Sequence, residues 1–271
     1  MTLIDLIQKA AESARELVLG NMDKATEKTG ERNPFGDQTL ALDKEAEDVI
    51  IKVLQQSDTS FSIMTEEQGI IENEGKPEYL AIIDPIDGSA NLERGIPICS
   101  IGISVLPYDE KMTTDDLEAS VIRSFFTDEI YVAIKDQGVT LNGEPVEPAQ
   151  PKPMEEIIVS YDTKKKWDKK FTAASVRVLE NVFDMRRSAS NLLDLCWTAA
   201  GGLDAMLDLR GVLPIVHVSG THMVTEAGGY VVNSTGSRLN LPIEYEQRMS
   251  FIAASTETLA RNLLSLWRGT S

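Results

Sequence analysis

The chain reads as an α/β protein, and three observations carry that reading. Short apolar runs of strand length follow one another between residues 61 and 135. From residue 156 onward such runs alternate with helical segments. Between the two regimes lies Pro145 to Pro153, four prolines with little apolar content and the best internal boundary. At 271 residues the chain suits a single α/β fold or two fused lobes, divided as 1–150 and 151–271.

Leu3, Leu6, Ile7, Ala10, Ala14, Leu17 and Val18 share one helical face, so residues 2–20 form an amphipathic helix. Gly30 to Gly36 is polar, carries Pro34 and reads as a loop. Residues 42–56 repeat the helical pattern through Ala46, Val49, Ile50, Val53 and Leu54. Strands are expected at 61–64, 79–83, 100–106, 119–126 and 129–135. Thr127-Asp128 is a hairpin turn, and Asn142-Gly143 has the residues of a type I′ turn. Beyond the boundary the order is strand 156–161, helix 165–174, strand 176–180, helix 190–200 and strand 204–209. Helix 218–227, strand 229–233, strand 249–254 and helix 256–267 complete it. Lys164-Lys165-Lys166 reads as a solvated helix start or as a group facing an anion.

A composition of 42% hydrophobic and 25% charged residues is ordinary for a globular protein. No apolar run is long enough to span a membrane, and residues 1–19 lack the basic and apolar regions of a signal peptide. Cys99 and Cys196 have no metal-ligand spacing and sit among apolar neighbours, as buried free thiols in a reducing cytoplasm would. A net charge of −17 argues against a nucleic-acid partner. It would also repel a phosphorylated substrate unless bound divalent cations reversed the local field.

The chemistry concentrates at Asp84-Pro85-Ile86-Asp87-Gly88-Ser89, directly behind the apolar run Tyr79 to Ile83. Two carboxylates three residues apart arrive on a turn, followed by a glycine and a hydroxyl. A second short apolar run, Phe61 to Met64, ends in Thr65-Glu66-Glu67. A D-x-x-D-G string alone is most often only a turn. An EF-hand loop does not fit, because the twelfth position from Asp84 is Gly95 rather than a glutamate. Two acid-bearing strand ends are instead the material of a hard-cation site, with Mg²⁺ or Mn²⁺ acting on a phosphate ester.

These residues resemble the inositol monophosphatase family, and within it the archaeal type acting on both inositol phosphates and fructose 1,6-bisphosphate. Asp84 to Asn91 fits the family string D-P-I/L-D-G-T/S-x-N, and Glu66-Glu67 fits its upstream acid pair. Gly36-Asp37-Gln38-Thr39 through Asp43, Ala189 through Cys196 with Asp204-Ala205, and Glu226 to Gly229 are similar to three further elements in the right order. The resemblance implies a five-layer α/β/α/β/α sandwich of the sugar-phosphatase type. It implies a Mg²⁺-dependent phosphomonoesterase for a small phosphorylated polyol or sugar, and a cytoplasmic homodimer with no nucleic-acid or membrane partner. It places Glu66, Asp84, the Ile86 carbonyl and Asp87 on metal. Ser89, oriented by Asp43 and working with Glu66, would position the attacking water. Gly88, Ser89 and Asp87 would hold the phosphate; Arg186, Asn191, Asp208 and Arg210 would line the substrate side. Glu67 reads as a base, as a supporting acid or as plain surface. Two alternatives stay open: a family member acting on 3′-phosphoadenosine 5′-phosphate or NADP, and a non-catalytic member that only binds a phosphorylated ligand.

One family element is missing. The helix ending in Glu226-Ala227-Gly228-Gly229 should open near an aspartate that ligates metal. No carboxylate occurs between Asp208 and Glu226. His217 lies within one residue of the expected position and is a candidate nitrogen ligand that would tilt the site toward Mn²⁺ or Zn²⁺. His222 reads as a helix-face residue.

Overall fold

The structure, a computed structural model, describes residues 1–36, 38–73, 75–163 and 168–270. The expected lysine run at 164–166 and the helix start at 165 lie outside the described residues, as does Asp37 of the Gly36-to-Asp43 element.

Helix α1 (Leu3–Gly20) is closed at its start by a reciprocal cap between Thr2 and Asp5. A ribbon of β1 (Lys28–Arg32) and β2 (Gln38–Leu40) follows, then α2 (Ala41–Gln55). The expected loop at 30–36 is therefore partly strand, because antiparallel pairing with β2 satisfies the backbone of an otherwise exposed polar segment. Next come β3 (Phe61–Thr65), β4 (Gly69–Ile71), β5 (Tyr79–Asp87), the one-turn helix α3 (Ser89–Glu93), β6 (Ser100–Pro107) and β7 (Ala119–Ser124). The meander β8 (Ile130–Ile134), β9 (Gly138–Leu141) and β10 (Glu144–Val146) ends the first half. Asn142 and Gly143 both take positive φ, as a type I′ turn requires.

The second half runs β11 (Ile158–Tyr161), α4 (Lys169–Leu179), β12 (Asp184–Arg186), α5 (Asn191–Ala199) and β13 (Ala205–Pro214). It ends with α6 (Val218–Glu226), β14 (Tyr230–Asn233), β15 (Arg248–Ala254) and α7 (Glu257–Arg268). The expected strand at 176–180 is the last part of α4. Phe171, Ala174, Ser175 and Val178 are its buried residues, a helical period that the short apolar run Val176 to Leu179 obscured. The strand falls instead at β12, three exposed residues with no apolar periodicity.

Two sheets order these elements. One has eight strands in the order β10-β9-β8-β7-β6-β5-β3-β4, the other five in the order β12-β11-β13-β15-β14. Period-2 alternation gives each sheet two apolar faces. Ile63, Ile83, Ile101, Ile103 and Val121 face α1 and α2, while Met64, Ile82 and Ile122 face the opposite way, toward α5 and α6. Met206, Phe251 and Ala253 close that middle layer from the second sheet, whose outer face packs Val159, Leu207 and Ile252 under α4 and α7. The result is the five-layer α/β/α/β/α sandwich.

The middle layer is tight. A Cβ added at Gly220 of α6 would stand 2.3 Å from Leu195 Cδ1 and 3.0 Å from Leu195 Cβ on α5. One added at Gly102 of β6 would stand 2.5 Å from Leu192 Cδ1 and 2.7 Å from Ser219 Oγ. Both glycines let α5 and α6 settle against the sheet beside β5. Gly220→Ala should therefore push the two helices apart and destabilise the fold by about 1–3 kcal/mol, the usual range for overpacking. Denaturant unfolding checks this; an unchanged midpoint would mean the helices have room the structure does not show.

Candidate active site

The acids sit inside β5 rather than on a turn after it, which corrects the sequence reading. Asp84 pairs with Gly102 of β6 and Asp87 with Ser100, so three steps on β5 match two on β6. That one extra residue is a bulge. In a regular strand residues i and i+3 point to opposite faces; the extra residue restores them to one side. Both carboxylates then face the middle layer, and Ile86 between them buries its side chain in the core under α1 and α2.

Neighbouring elements converge there. Ser190, at the N-cap of α5, donates its hydroxyl to Asp87 Oδ2 at 2.7 Å, and Leu192 N–H donates to the same oxygen at 2.6 Å. Ala189 takes φ 65° to turn the chain into that cap, uncommon for a residue other than glycine. Asn91 Nδ2 on α3 donates to Ser188 O at 2.8 Å, tying α3 to the same segment. Gly88 adopts φ 99°, and a Cβ there would meet Ile98 O at 2.9 Å. His217 ends the short 3-10 turn Ile215–His217 ahead of α6. Its Nε2 stands 3.3 Å from Asp84 Oδ2 and 3.7 Å from Asp87 Oδ1.

A second set of acids arrives from the α1/α2 side. Asp43, in the first turn of α2, accepts Leu40 N–H at 3.2 Å on one oxygen and the Ser89 hydroxyl at 3.2 Å on the other. Ser89 Oγ also lies 2.9 Å from the Ile86 carbonyl. Glu66 and Glu67 follow β3. The Glu67 carboxylate accepts from Thr39 Oγ1 and from Asn33 Nδ2, and its N–H donates to Glu47 Oε2 at 3.0 Å.

Burial raises the pKa values of Asp43, Glu47, Glu66, Asp84 and Asp87. Asp84 is pushed well above the carboxylate range by burial and then by the charges of Glu66 and Asp87, and Glu66 by burial and then by the charges of Glu67, Asp43 and Asp87. Asp87 is raised by burial, against the pull of His217 and its hydrogen bonds. Burial and then Glu67 lift Asp43 to about 8, and burial lifts Glu47 to about 7. Burial lowers the His217 pKa, with Asp87 and the Pro214 carbonyl opposing, so the ring is neutral with a nitrogen lone pair to offer.

This donor set fits a divalent cation. Asp84 is fully buried, yet no N–H or hydroxyl group reaches either of its oxygens, and the Glu66 carboxyl beside it is the group with which it can share a proton. A buried, unsatisfied carboxylate is costly unless something else compensates it. One ligand atom each from Asp84, Asp87 and His217 lies within 4.8 Å of the other two. Adjacent ligands of an octahedral ion with bonds of ~2.1 Å are themselves ~3 Å apart, close to the spacing found here.

Not every expected residue joins this cluster. Asn191 is buried at the start of α5, where its backbone amide supports Asp87. Asp208 holds Arg210 through both of its oxygens, and Arg210 Nη2 reaches Asp162 at 2.9 Å. Arg186 stays on the exposed edge strand β12, paired with Asp184. Its neighbour Arg187 enters the network instead, with Nη2 2.7 Å from Asp162 Oδ1. Sequence reading missed Asp162, Arg187 and Glu47, and it quoted Thr39 without a role. Thr39 stood in a matched motif; the other three had no local signal, since their partners are 20 or more residues away.

Comparison with known proteins places the chain in a family. The inositol monophosphatase family model matches residues 2–269. A fructose-1,6-bisphosphatase of Pyrococcus furiosus is 29% identical over 235 residues, covering 86% of this chain and 85% of its own. A fructose-1,6-bisphosphatase/inositol-1-monophosphatase of Methanocaldococcus jannaschii is 29% identical over 235 residues, 86% of each chain. Nus factor SuhB of Escherichia coli is 27% identical over 238 residues, again 86% of each. The crystal structure of an inositol monophosphatase–fructose 1,6-bisphosphatase superposes with a TM-score of 0.85 at 26% identity, covering 98% of this chain and 100% of that one. This chain belongs to the inositol monophosphatase family.

Proposed function

We propose that this phosphatase hydrolyses inositol 1-phosphate, fructose 1,6-bisphosphate or both, using a divalent cation of the Mg²⁺ type. The observation that carries the reading is the buried Asp84 carboxylate, without an N–H or hydroxyl donor on either oxygen and faced by Asp87 and His217. Glu66, Asp84, the Ile86 carbonyl, Asp87 and His217 would hold the ion. When bound, the cation neutralises the carboxylates, polarises the phosphate ester and makes water a better nucleophile.

The chain's own groups do the rest. The Ser89 hydroxyl, between Asp43 and the Ile86 carbonyl, orients the attacking water. Glu66 accepts the water's proton, and Glu67, fixed by Thr39 and Asn33, supports it. The N–H groups of Gly88 and Ser89 donate to phosphate oxygens. On the leaving-group side Asp208 accepts from a substrate hydroxyl. The Arg187–Asp162–Arg210 chain supplies cations for a second phosphate, where the sequence had placed Arg186 with Arg210 on the substrate side. The two cysteines are buried and unpaired, in keeping with a reducing cytoplasm. A homodimer is part of the proposal. The open edge β12 carries Asp184 and Arg186 either side of Met185, so antiparallel pairing of two copies about Met185 would set each acid opposite an arginine.

Phosphate release from inositol 1-phosphate, fructose 1,6-bisphosphate and an adenosine bisphosphate, each with added Mg²⁺, tests the activity. Turnover of either of the first two is expected; turnover of the adenosine compound alone would move the substrate assignment. Asp84→Asn should remove all but ~1% of the rate, since it removes an ion ligand. A tenth of the wild-type rate remaining in that variant would contradict the metal-site reading. Ser89→Ala should lower kcat with little change in KM, because a water-orienting group acts mainly in the transition state. A rise in KM alone would make Ser89 a substrate-binding residue.

The raised acids also set a pH dependence. Unfolded carboxylates titrate near pH ~4, whereas Asp43 and Glu47 hold their protons to about 8 and about 7 in the fold. Between those limits the folded state binds more protons than the unfolded one, so stability falls as pH rises. The Tm of the cation-free protein should therefore drop from pH 5.5 to 8.5, and added Mg²⁺ or Mn²⁺ should flatten the drop. Differential scanning calorimetry decides; a cation-free Tm that is flat or rising over that range would refute the electrostatic picture.

A further inference from the structure

The ion position between β5 and α6 presents an imidazole beside two carboxylates. Asp84 Oδ2 and His217 Nε2 are 3.3 Å apart but make no hydrogen bond with each other. Two heteroatoms at that distance, neither satisfying the other, converge on a shared third group. Asp87 Oδ2 is already taken by Ser190 and Leu192, which leaves Oδ1 to face the same point. The set at this position is thus two carboxylates and one neutral nitrogen. Glu66, pressed against Asp84 from the β3 side, adds oxygen only.

We propose that the Asp84–Asp87–His217 position selects a nitrogen-accepting first-row transition-metal dication (Mn²⁺, Co²⁺ or Zn²⁺) over Mg²⁺, while the Glu66 side of Asp84 remains an oxygen-only position. This rests on the phosphatase reading above and narrows the cofactor class at one part of that site. Two physical differences drive the choice. Mg²⁺ is a hard cation that favours oxygen and gives up its water reluctantly, whereas imidazole nitrogen suits Zn²⁺ and its neighbours best, and the first-row divalent metals, Mn²⁺ the weakest of them, bind nitrogen-containing sites in the order of that series. A neutral ring also brings no negative charge of the kind that would help strip water from Mg²⁺. A Mn²⁺-class ion compensates through its bond to nitrogen.

The chain has two histidines, which makes a spectroscopic test decisive. Purified protein loaded with Mn²⁺ should show ¹⁴N modulation of the bound ion by electron spin echo spectroscopy. His222→Asn should keep that signal, since His222 lies away from Asp84, with Nδ1 2.8 Å from Ser120 Oγ. His217→Asp should lose it while still binding Mn²⁺. Equilibrium dialysis with Mn²⁺ and competing Mg²⁺ should show the Mn²⁺ preference falling about tenfold or more in His217→Asp, as expected when oxygen replaces nitrogen. Bound Mn²⁺ without ¹⁴N coupling in the wild type would overturn the inference and leave the phosphatase reading intact. Failure to bind either cation, together with absent phosphate release, would overturn both.

Discussion

The repulsion among buried carboxylates at one end of β5 is the constraint on which the rest of the site depends. Asp43, Glu47, Asp84 and Asp87 are nearly inaccessible to water, and Glu66 and Glu67 crowd against them. Among the described residues no lysine or arginine forms an ion pair with Asp43, Glu47, Glu66, Asp84 or Asp87. Burying like charges without a counter-charge opposes folding, and proteins resolve it by protonation or by a bound cation. The fold accepts the strain because its hydrophobic layers are large and continuous on both sides of the cluster.

The architecture places the charges through a few specific local features. A single-residue bulge aims Asp84 and Asp87 the same way. Glycines on β6 and α6 let the middle helices approach closely enough for Ser190 and His217 to reach them. The turn at Gly88 starts α3 and brings Ser89 under Asp43. Sequence segments more than 100 residues apart meet over a few ångströms, so small displacements of α5 or α6 would be felt at the cluster.

Much of this was legible in the residues. The Asp84 to Ser89 string, which alone would read as a turn, pointed to a cation site because an apolar strand precedes it and a second strand end carries the Glu66-Glu67 pair. The gap between Asp208 and Glu226 was visible by counting, and the histidine nearest the expected aspartate is the one whose nitrogen stands beside Asp84. What stayed hidden was long-range. A bulge is a property of pairing and not of one strand, so the acids read as lying on a turn. Arg186 and Arg187 are adjacent and chemically alike; only the fold puts Arg187 on Asp162 and leaves Arg186 at the edge. Helix α4 was cut short because Val176 to Leu179 has strand-like composition, and the helical period appears only once buried positions are known.

The central claim is that the carboxylate cluster exists to hold a divalent cation. Anomalous diffraction from crystals grown with Mn²⁺ addresses it directly. The account expects a peak within ~2.1–2.4 Å of an Asp84 oxygen, with Asp87 Oδ1 and His217 Nε2 completing its nearest protein neighbours. Crystals without a peak at the cluster, in which Asp84 is instead protonated and hydrogen-bonded to Glu66 or His217, would contradict it.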